Sequence, residues 1–475
     1  MLIGTDDLFP TAMGKPGSAP EVPVFSNFLL LATATTAIGG FLFGYDTAVI
    51  NGANSYLRVH MSLNPAQEGM AGASAILGCI PGAMVAGFLS DRFGRRRMLF
   101  LCAILYAVSG ILSAIPRTFG QFLAARFASG LGIGASSMIC PVYIAEIAPG
   151  RWRGRLGSLF QLGIVTGIFL TLFINKLIQG LGNDAWNTTT GWRWMLGMEV
   201  VPALVFVALL FVVPESPRWL VQQAREGEAR EILTRVGGAA HAETELAAIR
   251  AANLEEKGDL SELFTSAYFR PLLIAVVLMA GSQFCGINAI IYYSSKIFES
   301  AGLVKNAAFT STVWIGLVNL LFTFVAIAFV DNAGRRPLLL VGTAVQTLAL
   351  TLVSWMFHTQ QNGLPLLVCI MTFTAAFAMA MGPIPWIMCS EIFPNKVRGR
   401  AMSIATFTIW SSCYVVAQTF PMLNDSSAIG PVITFCTYGV VSLLTFTFVL
   451  FAVPETKGLT LEEIESSWKS GNRRA

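Results

Sequence analysis

The sequence predicts an all-α integral membrane protein with about twelve transmembrane helices, arranged as two six-helix halves that cytosolic linker helices join. Its 475 residues are 54% hydrophobic and only 12% charged, whereas roughly 25% of the residues in a soluble globular domain are charged. Many apolar stretches also reach the roughly 20 residues that a helix needs to cross a bilayer core of about 30 Å. The third observation is an internal repeat at a spacing of 240 to 245 residues.

Twelve apolar runs lie between polar breaks and are interpreted as spans. The first run follows a stretch with only one Lys, so it lacks the basic flank of a cleaved signal peptide and is expected to be retained. The runs cover 27–50, 69–90, 98–116, 120–146, 154–177, 193–213, 270–298, 307–330, 336–357, 364–391, 397–420 and 430–452. They define a tail (1–26), a first half (27–215), a linker (216–268), a second half (269–453) and a C-terminal tail (454–475).

Three polar motifs carry the repeat, and they recur in the same order. The pairs are DRFGRR at 91–96 with DNAGRR at 331–336, PES at 214–216 with PET at 454–456, and EIAP at 146–149 with EIFP at 391–394. Duplicated halves are usual in secondary transporters, whose substrate sites lie near the midplane where the repeats meet. Between the halves, residues 216–265 become charged and favour helix, which predicts a cytosolic linker without a core of its own.

The distribution of basic residues predicts the orientation. Arginines and lysines cluster in the loops near residues 92–97, 151–155, 335–336 and 396–400, whereas the alternate loops hold little beyond Arg58, Arg117 and Lys176. Because basic loops remain in the cytoplasm, both termini are predicted to be cytoplasmic, in a multi-pass protein of the plasma membrane.

Several classes of function are excluded on composition. The net charge of +4 follows from the loop asymmetry, and no basic stripe with interleaved aromatics suggests nucleic-acid binding. The eight cysteines and three histidines show no metal-ligand spacing. No nucleophile with a nearby base is evident, so we expect neither an enzyme nor a metal or cofactor site.

Four motifs together identify a family. They are GFLSDRFGRR at 87–96, PESPRWL at 214–220, Gln283 followed by GIN at 286–288 and YY at 292–293, and PETKG at 454–458. In this order the chain resembles the sugar porter family of the major facilitator superfamily over residues 28–465. The resemblance implies the major facilitator fold and sugar transport by alternating access, with lipid, a sugar or polyol and a proton as partners and no cofactor.

Asp46 and Arg126 are the candidate proton-coupling pair. Ionisable residues within a membrane are costly and therefore candidates for function, and both lie a few residues from the outer ends of their spans, at a shared depth. Burial favours the protonated acid, while a neighbouring guanidinium favours the carboxylate. Proton-coupled family members carry Asp where passive facilitators carry Asn, so Asp46 favours symport, and Glu199 is a second acidic candidate. A static structural ion pair remains the alternative.

The candidate sugar site combines amides with aromatic rings, because sugar hydroxyls both donate and accept hydrogen bonds and the sugar ring has an apolar face. Gln283 and Asn319 lie about 12–14 residues from their helix ends, near the midplane. The resemblance makes Trp386, after a double-proline kink, the residue that stacks on the ring. Packing between helices remains the alternative for each of these side chains. The candidates are Phe43, Gln161, Ser282, Gln283, Asn288, Tyr292, Tyr293, Asn319, Trp386 and Trp410.

Three positions depart from the family pattern. Ser282 replaces the first of two adjacent glutamines, and Ile409 and Cys413 stand where Gln or Asn often occur in the eleventh span. The pocket is therefore expected to be roomier or more apolar, and an ordinary hexose or pentose cannot be assumed.

Charged residues at the predicted cytosolic helix ends are candidate gates, since carboxylates and guanidinium groups there can pair across neighbouring helices. The resemblance implies that such pairs hold the outward-open state, whereas the alternative is that the arginines only follow the positive-inside rule. The candidates are Asp91, Arg95, Glu146, Arg153, Arg155, Arg335, Glu391 and Arg400.

The sequence thus predicts proton-coupled symport of a monosaccharide or related polyol such as inositol. A passive facilitator is the first alternative. A sugar sensor is the second, although sensors usually carry a long cytosolic tail and only about 20 residues follow the last span.

Overall fold

The computed structural model describes residues 27–253, 260–361 and 363–457, and no strand occurs within these ranges. The predicted N-terminal tail, residues 254–259 of the predicted linker and the C-terminal tail beyond residue 457 lie outside the described residues.

The first half contains five long helices and a sixth, segmented span. A capping box between Asn64 and Gln67 starts the second helix, and Gly94, at a φ of 96°, separates the second helix from the third. The helices are α1 (Asn27–His60), α2 (Pro65–Phe93), α3 (Arg95–Ala114), α4 (Phe119–Ile147), α5 (Gly150–Gln179), α6 (Asp184–Trp186), a π-helical turn (Asn187–Gly191), α7 (Trp192–Gly197) and α8 (Val200–Leu210).

The linker folds into short helices. Its helices are α9 (Pro217–Gln222), α10 (Glu226–Gly237) and α11 (Ala239–Asn253), and a 3-10 turn follows (Leu260–Phe264). Trp219, Leu233 and Leu246 are among the apolar side chains that these helices bury against one another. The linker therefore has a small core of its own, contrary to the expectation from its charged sequence, because α10 and α11 pair through their apolar faces.

The second half repeats the first, with two of its spans broken. Gly286, at a φ of 89°, interrupts the seventh span, and residues 380–383, which end at Pro383, interrupt the tenth. The helices are α12 (Ser266–Phe284), α13 (Ile287–Ser300), α14 (Lys305–Ala333), α15 (Arg335–Thr359), α16 (Leu364–Met379), α17 (Ile384–Glu391), α18 (Asn395–Asn424) and α19 (Gly430–Ala452).

Eleven segments of the described chain are long and apolar enough to cross a membrane. The remaining predicted span is α18, a 30-residue helix that is less apolar because it carries hydroxyl residues such as Thr406 and Ser412. Large apolar side chains, including Phe88 and Phe211, are about two-thirds exposed on the outer surface of the bundle. Such a surface suits lipid rather than water.

The halves meet through a few helices, with α2 against α18, α1 against α13 and α5 against α14. Within the first half, Gly44 of α1 lies directly against the backbone of Ile164 in α5, so α1 packs tightly on α5. Sites between the halves are therefore built mainly from α1, α2, α5, α13, α14 and α18.

Candidate functional site

Asp46 and Arg126 form a buried ion pair within the first half. Asp46 lies in α1 and Arg126 in α4, and their exposed fractions are 0% and 2%. The guanidinium pairs with a carboxylate oxygen of Asp46, and its Nη2 donates to the backbone carbonyl of the same residue at 3.1 Å. The structure thus brings together the two residues that the sequence placed at one depth.

Glu199 completes a buried triad with this pair. Its carboxyl group is close enough to Asp46 and Arg126 to interact with the charges of both, and its exposed fraction is 1%. Within the described part of the chain, Oδ2 of Asp46 and Oε1 of Glu199 have no donor. Two carboxyl groups beside one guanidinium leave one negative charge in excess, and a single proton shared by the two acids removes it. This arrangement is chemically suited to hold and release a proton.

A small cavity adjoins the triad at the interface between the halves. Its lining includes Asp46 and Arg126 from the first half and Tyr292 and Trp410 from the second. The ring of Phe43 lies 5.5 Å from the ring of Trp410, centroid to centroid. Three candidate aromatic residues therefore lie next to the ionisable triad.

The polar candidates around the break at Gly286 form one hydrogen-bonded set. Gln283 donates to the hydroxyl of Ser282 at 3.1 Å, and Asn288 donates to the side-chain oxygen of Gln283. Asn288 also contacts the Cys413 sulfur at 3.1 Å. Two of the positions that depart from the family pattern, Ser282 and Cys413, are thus direct partners of the candidate amides.

Gln161, Asn319 and Trp386 stand apart from this set. Within the described residues, the side chains of Gln161 in α5 and Asn319 in α14 form no hydrogen bond to protein, so both amides are free to meet a ligand. Trp386 lies in the first turn of α17, just after the break, and packs against the apolar core of the second half. Among the described hydrogen bonds of the Gln283 side chain, the partners are Ser282 and Asn288 rather than these three residues.

Tyr292 and Tyr293 point in different directions. Tyr292 lines the cavity, whereas the Tyr293 hydroxyl donates to the backbone carbonyl of Ala417 at 2.9 Å and its ring stacks on Phe420 at 5.2 Å. A side chain at Gly72 of α2 would collide with that hydroxyl. Tyr293 therefore contributes to packing between the halves rather than to the cavity wall.

The face of the bundle that carries the repeated DRFGRR and DNAGRR motifs is called the basic face below. Arg95 makes a bidentate pair with Glu146, with both contacts at 3.0 Å, and a further ion pair with Asp91 at 2.9 Å. In the second half, Arg335 pairs with Glu391 at 2.9 Å. Each pair joins neighbouring helices of one half, so the repeat is preserved in contacts as well as in sequence.

Four further residues take part at this face and are not among the candidates predicted from the sequence. Ser216 donates to Glu146 and Thr456 donates to Glu391, both at 2.5 Å. Glu215 and Glu455 accept hydrogen bonds from the backbone N–H groups that begin α3 and α15. Burial raises the pKa of the Glu215 carboxyl, and these N–H groups offset the effect only in part. The signal was present, since PES and PET belong to the repeated motifs.

The three remaining gate candidates are not paired. Arg153, Arg155 and Arg400 are exposed, and none of them forms an ion pair among the described residues. The Arg155 guanidinium instead lies 5.5 Å from the centroid of the Trp152 ring. Both carboxylate oxygens of Glu146 already accept hydrogen bonds from Arg95, so Glu146 does not pair with Arg153 or Arg155.

The opposite face, which carries the ends of α1 and α13, joins the halves directly. Asn51 of α1 donates to the Ile291 carbonyl at 2.6 Å and to the Ser294 hydroxyl at 2.7 Å, both in α13. Ser295 donates back to the Asn51 carbonyl at 2.9 Å. The bundle is therefore closed at this face.

Comparisons with known proteins agree with this architecture. Residues 32–468 match the family model described as "Sugar (and other) transporter". The chain is 42% identical over 455 residues to the arabinose-proton symporter of Bacillus subtilis (strain 168), covering 94% of this chain and 98% of that protein. It is 35% identical over 479 residues to the D-xylose-proton symporter of Escherichia coli (strain K12), covering 94% and 97%. The structure matches the inward open conformation of the xylose transporter XylE from E. coli with a TM-score of 0.83 and 36% identity, covering 93% of this chain and 100% of that one.

Proposed function

Because this chain belongs to the sugar transporter family of the major facilitator superfamily, whose members are membrane transporters and not enzymes, we propose that it carries out proton-coupled symport of a monosaccharide or related polyol. The observation that carries the proposal is the buried triad of Asp46, Arg126 and Glu199 beside a cavity between the halves. The names of the relatives, which include arabinose-proton and D-xylose-proton symporters, support the same class of substrate.

The triad couples proton binding to the movement of the halves. While Asp46 and Glu199 are both ionised, Arg126 faces an excess negative charge in a buried site, which is costly. A proton on either acid relieves that charge and weakens the hold of Arg126 on the carboxylate. Since the triad adjoins the cavity that contains Tyr292 and Trp410, its charge state changes the free energy of closing the site around a substrate.

The sugar is proposed to replace hydrogen bonds that the side chains of the site make with one another. Gln283 and Asn288 are hydrogen-bonded to each other and to Ser282 and Cys413. These bonds orient the two amides, and hydroxyl groups of the substrate then bind to them in place of the protein partners. Gln161 and Asn319 offer further amides, and Phe43, Trp386 and Trp410 offer apolar surfaces. Serine and cysteine are shorter than glutamine, which leaves more room on this side of the ligand.

The basic face is proposed to be cytoplasmic, in the plasma membrane, with both termini on that side. The loops of this face hold most of the arginines, as the positive-inside rule requires. Closure at the opposite face then makes the structure inward-facing, in agreement with its similarity to the inward open conformation of XylE. Asp91, Arg95, Glu146, Arg335 and Glu391 are proposed to hold helix ends together during the transition, whereas Arg153, Arg155 and Arg400 are available to pair in the other state.

Transport assays in proteoliposomes test the proposal. A panel of labelled pentoses, hexoses and polyols is offered with and without an inward proton gradient, for the wild type, for Asp46→Asn and for the control Glu228→Gln. Glu228 pairs with Arg225 on the exposed linker surface. We expect the gradient to drive accumulation in the wild type and the control, and Asp46→Asn to retain only exchange down a concentration gradient.

Two results would contradict the proposal in different ways. Uptake that is insensitive both to the gradient and to Asp46→Asn identifies a passive facilitator. Failure to transport any sugar or polyol, by protein that is folded and inserted, refutes the assignment of substrate class.

A further inference from the structure

Four charged side chains meet at the opposite face, and none of them belongs to the proposed proton or sugar sites. Arg58 ends α1 and Glu68 lies in the first turn of α2, so both belong to the first half. Lys296 lies in α13 and Asp425 follows α18, so both belong to the second half. These residues are called the four-charge cluster.

Two contacts of the four-charge cluster cross between the halves. Lys296 Nζ lies 2.7 Å from Glu68 Oε2, and Arg58 Nη1 lies 2.9 Å from Asp425 Oδ2. The Glu68 carboxylate is almost completely buried, with an exposed fraction of 1%, and it also accepts a hydrogen bond from Asn54 at 3.2 Å. Removing one partner from a buried ion pair is strongly destabilising, because the other charge is left buried without compensation. The crossing contacts therefore favour the closed arrangement of the halves.

The other two contacts remain within one half each. Arg58 lies 3.1 Å from Glu68, and Lys296 lies 2.9 Å from Asp425. Separating the halves therefore breaks two ion pairs and leaves each half with a neutral pair of its own. No charge is left without a partner, which avoids the large cost of an unpaired buried ion.

We propose that the four-charge cluster is a reversible lock that sets the ratio of closed to open conformations at the opposite face. The proposal rests on the proposed alternating-access transport, but not on the identity of the sugar or on proton coupling. Crossing pairs hold the face closed, while pairs within each half lower the cost of opening it. Their balance sets the population of each conformation, and neutral contacts such as Asn51 with Ser294 add to the closed state.

The four-charge cluster allows two double substitutions with opposite expected effects. Arg58→Glu with Glu68→Arg preserves attraction within the first half but makes both crossing contacts repulsive. Glu68→Lys with Lys296→Glu preserves both crossing contacts but makes the contacts within each half repulsive. Both variants keep the net charge of the protein unchanged, so a difference between them reports pairing rather than total charge.

Hydrogen–deuterium exchange of the full chain in lipid nanodiscs measures the result, without substrate or proton gradient. For Arg58→Glu with Glu68→Arg, we expect exchange at the opposite-face ends of α1 and α13 to rise about three- to tenfold. For Glu68→Lys with Lys296→Glu, we expect it to fall below the wild-type rate. The control Arg230→Glu with Glu243→Arg reverses an exposed pair between linker helices and should change neither end.

The pattern of exchange decides the outcome. Equal shifts in the same direction for both pairs, or no shift in either, overturn the lock. If a reversed pair prevents folding, Lys296→Gln with Asp425→Asn removes both crossing contacts without adding repulsion, and it should raise exchange by a smaller factor. Unchanged exchange in that variant also overturns the lock. Because no sugar is present, the result is independent of the transport assay that tests the proposed function.

Discussion

Arg126 holds Asp46 at two points, since its guanidinium pairs with the carboxylate and its Nη2 donates to the Asp46 backbone carbonyl at 3.1 Å. Only the first contact depends on the charge of the carboxyl group, because a backbone carbonyl does not titrate. In the proposed symport mechanism, protonation of Asp46 would therefore weaken the pair without releasing Arg126 from α1, and the arginine would remain in place to pair again with the carboxylate.

Removing Arg126 alone should destabilise the protein more than removing both members of the pair. Arg126→Met leaves Asp46 buried without its partner, a change that typically costs about 3–5 kcal/mol. Adding Asp46→Asn removes the unpaired acid and should recover most of that loss. Thermal unfolding in detergent, measured for both single variants and the double variant, checks the result. Additive losses would show that the pair contributes little to stability.

Cys413→Gln should increase the affinity for pentoses and hexoses. A glutamine at this position can reach a sugar hydroxyl that the shorter cysteine, now bound to Asn288, leaves without a partner. One added hydrogen bond is worth about 0.5–1.5 kcal/mol, so KM should fall roughly 2- to 12-fold with kcat little changed. Uptake kinetics with D-xylose and L-arabinose provide the measurement, and Cys436→Ser, at an exposed cysteine, provides the control. An unchanged KM would place Cys413 outside the sugar site.

Gly72→Ala should disturb the contact between the halves. The new methyl group would collide with the Tyr293 hydroxyl, which is fixed by its hydrogen bond to Ala417. Crowding of this kind typically costs about 1–3 kcal/mol, so uptake should slow and the opposite face should open more often. Gly154→Ala is the matched control, because nothing lies near a side chain at that position. Normal uptake by Gly72→Ala would mean that α2 and α13 can move apart at no cost.

The contribution of Asp425 to stability should depend on pH. Burial alone would raise its pKa, but the neighbouring Lys296, Asn424 and Arg58 outweigh that effect and hold the pKa below its usual value of 3.8. Glu68 is the other acid of this cluster. Because the pKa is lowered in the folded state, the stabilisation is present above about pH 4 and is lost as the pH falls through the folded-state pKa.

Thermal unfolding at several pH values tests this dependence. Asp425→Asn should lower the melting temperature at pH 7, and the difference from the wild type should shrink in the acid range. Glu228→Gln, at the exposed linker pair, should show little difference at any pH. A difference between Asp425→Asn and the wild type that is constant with pH would assign the effect to packing.

The broken span around Gly286 shows how much of the site was predictable. Gln283, Asn288 and Tyr292 are predicted from the motif shared with the sugar porters and from the amides and aromatic surface that a sugar site needs, and the structure places them around the break and along the cavity. Their partners were not predictable. Asn288 bonds to Cys413, 125 residues away, and Tyr293 turns to Ala417, since these choices depend on how α13 is rotated against α18.

The membrane class, the division into two halves and the depth shared by Asp46 and Arg126 can be inferred without the fold. These properties follow from composition, the lengths of apolar runs and recurring motifs, all of which can be read along the chain. The tertiary structure alone decided that Glu146 pairs with Arg95 rather than Arg153 or Arg155. It also brought Arg58, Glu68, Lys296 and Asp425 together. The reason is that contacts between helices depend on their rotation and crossing, which the packing of the whole bundle fixes.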